Sequence, residues 1–138
     1  MDADLLSIYE ARRAAESAWE AFRKFRGTDV SLIDEIVQAM SSAIEPECAR
    51  LGSLAAEETG YGNAEDKRVK DLFNCLTVAD WLRNVRTLGV LWQDDVTKIA
   101  AVGEPMGVVA ALIPVTNPTS TIIFKVLSAI QPDPMIFV

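Results

Sequence analysis

The stretch that most restricts how this chain can fold is an apolar run, Val108 to Ile113, ended by Pro114. The run has no polar alternation. A strand covered on both faces reads this way, as in a parallel sheet. Pro114 lacks the N–H that would continue a ladder, so the strand is expected to stop there. Asn117 followed by Pro118 fits a helix cap with proline in the first turn. Residues 107–121 therefore read as turn, buried strand, polar elbow and helix start. The elbow sits at the carboxyl end of a strand, where open α/β sheets bind ligands.

The sequence before this point is helical in pattern. Asp2 to Phe25 carries Leu5, Ile8, Tyr9, Ala15, Trp19, Phe22 and Phe25 near helical spacing, with Gly27 as a stop. A second helix is expected from a cap at Thr28 or Ser31, burying Leu32, Ile33, Ile36, Val37, Met40 and Ile44. Pro46 should break or restart it. A third runs to about Thr59 on Leu51, Leu54 and Ala55, and Gly60 to Asn63 is a turn. A fourth helix is expected from Ala64 to about Asn84. Its inner face would be Val69, Leu72, Phe73, Leu76, Val78 or Ala79, and Leu82, with Trp81 packed and Lys67, Lys70 and Asp71 facing water. Glu57 and Glu58 are neighbours on a helix and point apart. They read as solvated charges or as a helix-end ion pair with Lys67 or Arg68, not as catalytic carboxylates.

From Thr87 the period shortens. Leu88 to Trp92 and Lys98 to Val102 flank a turn at Gln93-Asp94-Asp95 and predict a hairpin. After the elbow, Pro118 to about Ile130 predicts a helix packed through Ile122, Ile123, Phe124, Val126, Leu127 and Ile130. Gln131 to Pro134 ends it, and Met135 to Val138 reads as a strand. Strand, helix and strand at this spacing imply a parallel, right-handed unit. The expected class is α/β: helices over 1–85, a β-hairpin over 86–103, and over 104–138 the first strand–helix–strand unit of a Rossmann-like parallel sheet.

Charge narrows the function. The net charge is −7, there is no histidine, and no basic run occurs, so nucleic acid is not an expected partner. The start of the chain is acidic, unlike a secretory leader, and the longest apolar run is too short to span a bilayer. A cytoplasmic protein with no membrane partner is expected. Cys48 and Cys75 lie in helical sequence, and without histidine no zinc site or activated thiolate is expected. They read as reduced structural thiols.

Four segments carry a family resemblance: Glu57 to Lys67, Glu104-Pro105-Met106-Gly107-Val108-Val109, Ile113 to Thr121, and Ile123-Phe124-Lys125. Together they resemble the aldehyde dehydrogenase superfamily and, through Val115-Thr116-Asn117-Pro118-Thr119-Ser120, its CoA-acylating branch. That branch includes acetaldehyde and succinate-semialdehyde types and the N-terminal half of bifunctional aldehyde–alcohol dehydrogenases. The resemblance implies an incomplete aldehyde dehydrogenase fold, NAD or NADP as cofactor, coenzyme A as co-substrate and a small aldehyde as substrate. It implies that residues 1–85 and 104–138 belong to the cofactor-binding domain and that the hairpin belongs to an oligomerisation arm.

The superfamily's Pro-Trp-Asn-Phe-Pro elbow presents an asparagine amide to the oxyanion. By residue type the match is Asn117; by ungapped counting from Pro114 it is Thr116. Leu112, Ile113, Pro114 and Val115 are the implied cofactor contacts. Lys125 reads as structural, with a charge that would suit a cofactor phosphate if it faced the site. Neither cysteine matches the family's nucleophile motif. Gln131 to Pro134 departs from the branch's Lys-Thr-Arg-Asn-Pro, and Val138 stands where a lysine or serine that meets the adenosine ribose is expected. The resemblance spans about the N-terminal third of such an enzyme. It implies a partial enzyme, inactive alone, from a truncated gene or a partial record. The competing expectation is a non-catalytic interaction module that forms homo-oligomers or associates through unpaired strands.

Overall fold

The computed structural model describes residues 2–85 and 87–130 and the backbone of 136–137. The helix-ending segment 131–134 and Val138 lie outside the described residues. Helix α1 is Ala3–Phe25, capped by the Asp2 carboxylate and ended at Gly27, whose φ is 88°. Its expected apolar stripe is mostly open: Ala18 and Phe22 are buried, but Leu5, Ile8, Tyr9 and Trp19 are exposed. Helix α2 is Val30–Ile44. Its cap is Asp29, not Thr28 or Ser31. The Asp29 carboxylate accepts from both the backbone N–H and the hydroxyl of Ser31, at 2.8 and 2.7 Å. These two bonds hold its pKa below the ordinary value. Thr28 instead donates its hydroxyl to the Phe25 carbonyl and closes α1.

Pro46 does restart the chain. One tight turn, Glu45–Glu47, leads into α3, Cys48–Thr59. The face of α3 that is buried is Cys48, Gly52 and Ala55, while Leu54 is exposed. Gly60 ends the helix in the left-handed conformation at φ 68°. Asn63 then caps α4, Ala64–Leu72, by accepting from the Asp66 N–H.

The expected single helix to Asn84 is in three parts. After α4 come wide turns over Phe73–Val78, hydrogen-bonded i to i+5, and then α5, Ala79–Arg83. The expected inner face holds at Ala79 and Leu82, with Leu72 and Val78 partly buried, and is corrected elsewhere. Val69, Phe73, Leu76 and Trp81 are exposed; Lys67, Asp71, Cys75, Ala79 and Leu82 are buried. The first four of these recur every fourth residue, a spacing that drifts about 40° per step in a 3.6-residue helix. The wider turns hold more residues each, which keeps Cys75 and Ala79 in line with Lys67 and Asp71.

The core packs Val37, Cys48, Cys75, Leu82, Ile123 and Leu127 between α2, α3, the α4–α5 rod and α6, Pro118–Ile130. Ile123 and Leu127 fulfil the expected α6 face, whereas Ile122 and Phe124 are exposed.

Strands β1, Gly89–Asp94, and β2, Ile99–Gly103, form the expected antiparallel hairpin. Leu91 is an extra residue between the Val90–Val102 and Trp92–Ala101 pairs, a bulge that bends the ribbon. Strand β3 is only Val108–Val109, paired in parallel with β4, Ile136–Phe137. The expected six-residue strand is therefore corrected. Among the described residues its one ladder partner is two residues long, and the chain from Ala110 makes no ladder pair with them. Nor is it covered on both faces, since Leu112 is 88% exposed. The parallel strand–helix–strand unit, the hairpin and the preceding helices give the α/β class expected. Helix α1 lies against β3 and β4. Buried Gly107, at φ 103°, faces the Trp19 ring there.

Helices α3 and α4 approach through Gly52. A Cβ on Gly52 would lie 2.7 Å from both the Ala64 carbonyl oxygen and the Arg68 nitrogen. In a free helix Gly→Ala stabilises by about 1 kcal/mol. Here Gly52→Ala is expected to destabilise by about 1–3 kcal/mol through overpacking against backbone. A urea unfolding curve reads the sign, and a stabilised variant contradicts the close approach.

Candidate functional site at the elbow

The elbow joins β3 to α6 through Ala110–Asn117. Pro114 and Pro118 bring no N–H, so local backbone donors are scarce while the carbonyls still need partners. Side chains from the helices supply them. Lys67 Nζ donates to the Thr116 carbonyl at 2.8 Å. Lys125 Nζ donates to the Leu112 carbonyl at 2.5 Å, the structural role expected for it. Asn74 Nδ2 donates to the Ser120 carbonyl at 2.8 Å, and the Thr119 hydroxyl donates to Asp71 Oδ1 at 3.0 Å. Lys70 Nζ donates to Asn117 Oδ1 at 3.1 Å. The Asn117 carbonyl accepts the Thr121 N–H at 3.2 Å, the first bond of α6.

Lys67 and Asp71, expected to face water, are 4% and 0% exposed. Their burial is tolerable because each finds a partner in the elbow. The compensation is incomplete: Asp71 Oδ2 has no partner among the described residues. Burial pushes the Asp71 pKa up, while the Thr119 hydroxyl and the Lys67 charge pull it down by less. Of the two readings of Glu57 and Glu58, solvated charges holds: both are exposed, and the ion pair with Lys67 or Arg68 is replaced by other partners. Lys67 serves the elbow, and Arg68 pairs with Glu65 one turn earlier on its own helix.

Beside the elbow, between α4 and α6, lies an open groove of about 510 Å³. Val69, Phe73 and Phe124 form its apolar walls; Lys70, Asn74, Asn117, Ser120 and Thr121 supply polar groups. Of the two oxyanion candidates, Asn117 lines this groove and sits in contact with Lys70. Thr116 is exposed and does not line it. The four candidate cofactor contacts, Leu112, Ile113, Pro114 and Val115, form an exposed extended segment leading into the elbow. Phe73 and Val69, read from sequence as core, are instead groove wall.

Sequence reasoning missed Lys67, Lys70, Asp71 and Asn74 as elbow partners. Their spacing of three and four was visible as a stripe on one helix face, but a polar stripe is ordinarily the wet face. The two thiols are buried, with Sγ atoms 3.8 Å apart, and neither lines the groove. Burial raises both pKa values, that of Cys75 to about 12, so neither is a ready thiolate.

Known proteins share this chain's fold and sequence. The profile described as "Aldehyde dehydrogenase family" matches residues 4–131. Aldehyde-alcohol dehydrogenase 2 of Entamoeba histolytica is 44% identical over 107 residues, 76% of this chain and 12% of that protein. An acylating sulfoacetaldehyde dehydrogenase of Cupriavidus necator is 36% identical over 135 residues, covering 91% of this chain and 27% of that protein. The crystal structure of an acetylating aldehyde dehydrogenase from Geobacillus thermoglucosidasius superposes with a TM-score of 0.91 at 40% identity. That match covers 99% of this chain and 30% of the other. The chain thus spans under a third of the length of each of these relatives.

Asp71 makes a pH prediction whose sign is opposite to that of ordinary carboxylates. Its folded pKa is raised, so the folded state holds the proton more tightly than the unfolded state. Stability from this group is greatest below the unfolded value near 4 and falls as pH rises through the folded pKa. Asp29, Glu65 and Asp94 have lowered values and act the other way. Urea midpoints of wild type minus Asp71→Asn, measured from pH 3 upward, are expected to begin declining at about pH 4, the unfolded value, and to level only above the raised folded pKa. A difference that rises with pH contradicts the burial argument.

Proposed function

This chain belongs to the aldehyde dehydrogenase family, and from that premise we propose that it serves a CoA-acylating, NAD(P)-dependent aldehyde dehydrogenase. The reaction would take an aldehyde, coenzyme A and NAD or NADP to an acyl-CoA and the reduced cofactor. The observation that carries the proposal is the elbow itself: Asn117 lines the groove with its amide oxygen turned to Lys70. When a thiolate adds to an aldehyde carbon, the carbonyl oxygen becomes negative and needs a fixed donor. Asn117 Nδ2 is that donor in this reading. Thr116, the other candidate, stands outside the groove.

No helix among the described residues is long and apolar enough to cross a membrane. The fit of this chain to a nicotinamide cofactor rests on Leu112 to Val115. Leu112 and Val115 expose apolar surface next to the elbow, and Lys125 holds the Leu112 carbonyl in place. These four residues would hold the reactive ring by backbone and apolar contact. The cofactor, when bound, supplies the hydride acceptor. Coenzyme A enters the proposal through the acylating relatives, and no residue of this chain is assigned to it. The attacking thiolate would come from outside these 138 residues, because Cys48 and Cys75 are buried with raised pKa values. Alone, the chain would be inactive. Residues 1–85 and 104–138 would form part of a cofactor-binding domain. The pair of reduced, buried thiols fits a cytoplasmic location.

A second proposal concerns assembly. Strands β1 and β2 are each other's ladder partner, and Trp92, Ile99 and Val102 are exposed on the ribbon. The hairpin over 86–103 would pair with further strands in a homo-oligomer.

Two experiments test these readings. In the first, NAD+ or NADP+ is titrated into the 15N-labelled chain. Amide shifts are expected at Leu112, Ile113, Val115, Thr116 and Asn117; saturable shifts confined to other segments contradict the assignment. The same sample should form no NADH from acetaldehyde and coenzyme A, and turnover lost on Cys48→Ser or Cys75→Ser would overturn the placement of the nucleophile. In the second, light scattering should show association that weakens in Trp92→Glu, whereas a stable monomer counts against the assembly reading.

A further inference from the structure

We propose that Lys70 is a positioning residue that fixes which end of the Asn117 carboxamide faces the groove. The inference rests on reading Asn117 as the oxyanion donor, and goes beyond it by naming what sets the amide's direction. A carboxamide has an acceptor oxygen and a donor nitrogen of nearly equal size. Rotation about its last bond exchanges them, and only a neighbour that discriminates between them sets the orientation. Lys70 discriminates completely, because an ammonium has three donors and no acceptor. With Nζ 3.1 Å away, the amide must turn Oδ1 toward it. Nδ2, on the opposite side, then points away from Lys70.

The backbone around Asn117 leaves that rotation as the main freedom. Lys67 holds the Thr116 carbonyl, and the Thr121 N–H holds the Asn117 carbonyl. Lys67 and Lys70 are three residues apart on α4, so both face the elbow from the same side. Their effect on polarity is cumulative. The carbonyl oxygens of Leu112, Thr116, Asn117 and Ser120 and the Asn117 side-chain oxygen each have a donor. Each of these oxygens turns one of its two lone pairs to a donor, which lessens the repulsion that a developing negative charge would meet. The donor hydrogens of Asn117 Nδ2 remain to meet it. An elbow whose amide could flip would offer an acceptor half the time, which repels the oxyanion it should stabilise.

The charge and donor character of residue 70 are what matter, not its bulk. Arginine is also donor-only and should preserve the orientation. Glutamate is acceptor-only when ionised, so it should draw Nδ2 toward itself and reverse the amide. Lys70 is exposed, so none of these changes opens the core.

The test uses the whole chain with labelled asparagine and needs no cofactor or substrate. In wild type, Asn117 Nδ2 protons are expected to show Overhauser contacts to the Phe73 and Thr121 side chains across the groove. Lys70→Arg should keep the contacts. Lys70→Glu should lose them, with the thermal midpoint unchanged in both variants. Wild-type contacts persisting in Lys70→Glu would overturn the proposal. The cofactor titration can fail while this signature persists, which would remove the functional reading and leave the amide's orientation explained. The reverse outcome would remove Lys70 and leave the functional reading standing.

Discussion

Everything near the candidate site depends on where the elbow's carbonyl groups find hydrogen-bond donors. Between β3 and α6 the chain belongs to neither ladder nor helix among the described residues, and Pro114 within it and Pro118 just after it bring no backbone N–H. Unpaired carbonyls there would cost free energy comparable to lost hydrogen bonds. The donors come from outside the segment: Lys67 from α4 and Lys125 from α6, while Asn74 holds the Ser120 carbonyl in the first turn of α6. Asp71 completes the set as an acceptor for Thr119. A rod that elsewhere packs through Cys75, Ala79 and Leu82 thus gives its first turns to polar work.

This division explains the shape of the rod. Lys67 and Asp71 must point at the elbow while Cys75 and Ala79 must point at the core formed with α2, α3 and α6. A regular α-helix would rotate the later pair away by about 40° per step of four. The i to i+5 turns over Phe73–Val78 absorb that drift. Gly52 lets α3 lie against the backbone of α4, which places Lys67 and Asp71 at the elbow's depth. Sequence, helix geometry and site are linked here by steric and hydrogen-bond requirements, and the same rod leaves Val69 and Phe73 to wall the groove.

Much of this was legible beforehand, for definable reasons. Helix limits followed mainly from breakers: Gly27, Pro46, Gly60 and Pro118 act as their chemistry dictates, whereas the caps Asp29 and Asn63 were not singled out. The hairpin followed from its turn cluster, and the elbow from Pro114 and Asn117-Pro118. Burial was much less legible. Leu5, Leu54, Leu76 and Leu112 are apolar and exposed, while Lys67 and Asp71 are charged and buried. Hydrophobic periodicity assumes that apolar means inside, and it fails where polar side chains have partners distant in sequence. Lys67 meets Thr116 across 49 positions, and no local pattern encodes that meeting. The π-type turns are invisible for the same reason, since they answer to a register set by tertiary contacts.

The most direct measurement of the central claim is amide hydrogen exchange across residues 116–123 in the double variant Lys67→Met, Asp71→Ala. These replacements remove the buried polar ties without adding bulk to the core. If α4 holds the elbow through those groups, helix content and core protection should persist while the amides of Thr116 to Ile123 exchange at least tenfold faster (about 1.4 kcal/mol of lost local stability). Unchanged protection there, with the fold intact, would mean that the elbow holds its shape without the helix and that the claim is wrong.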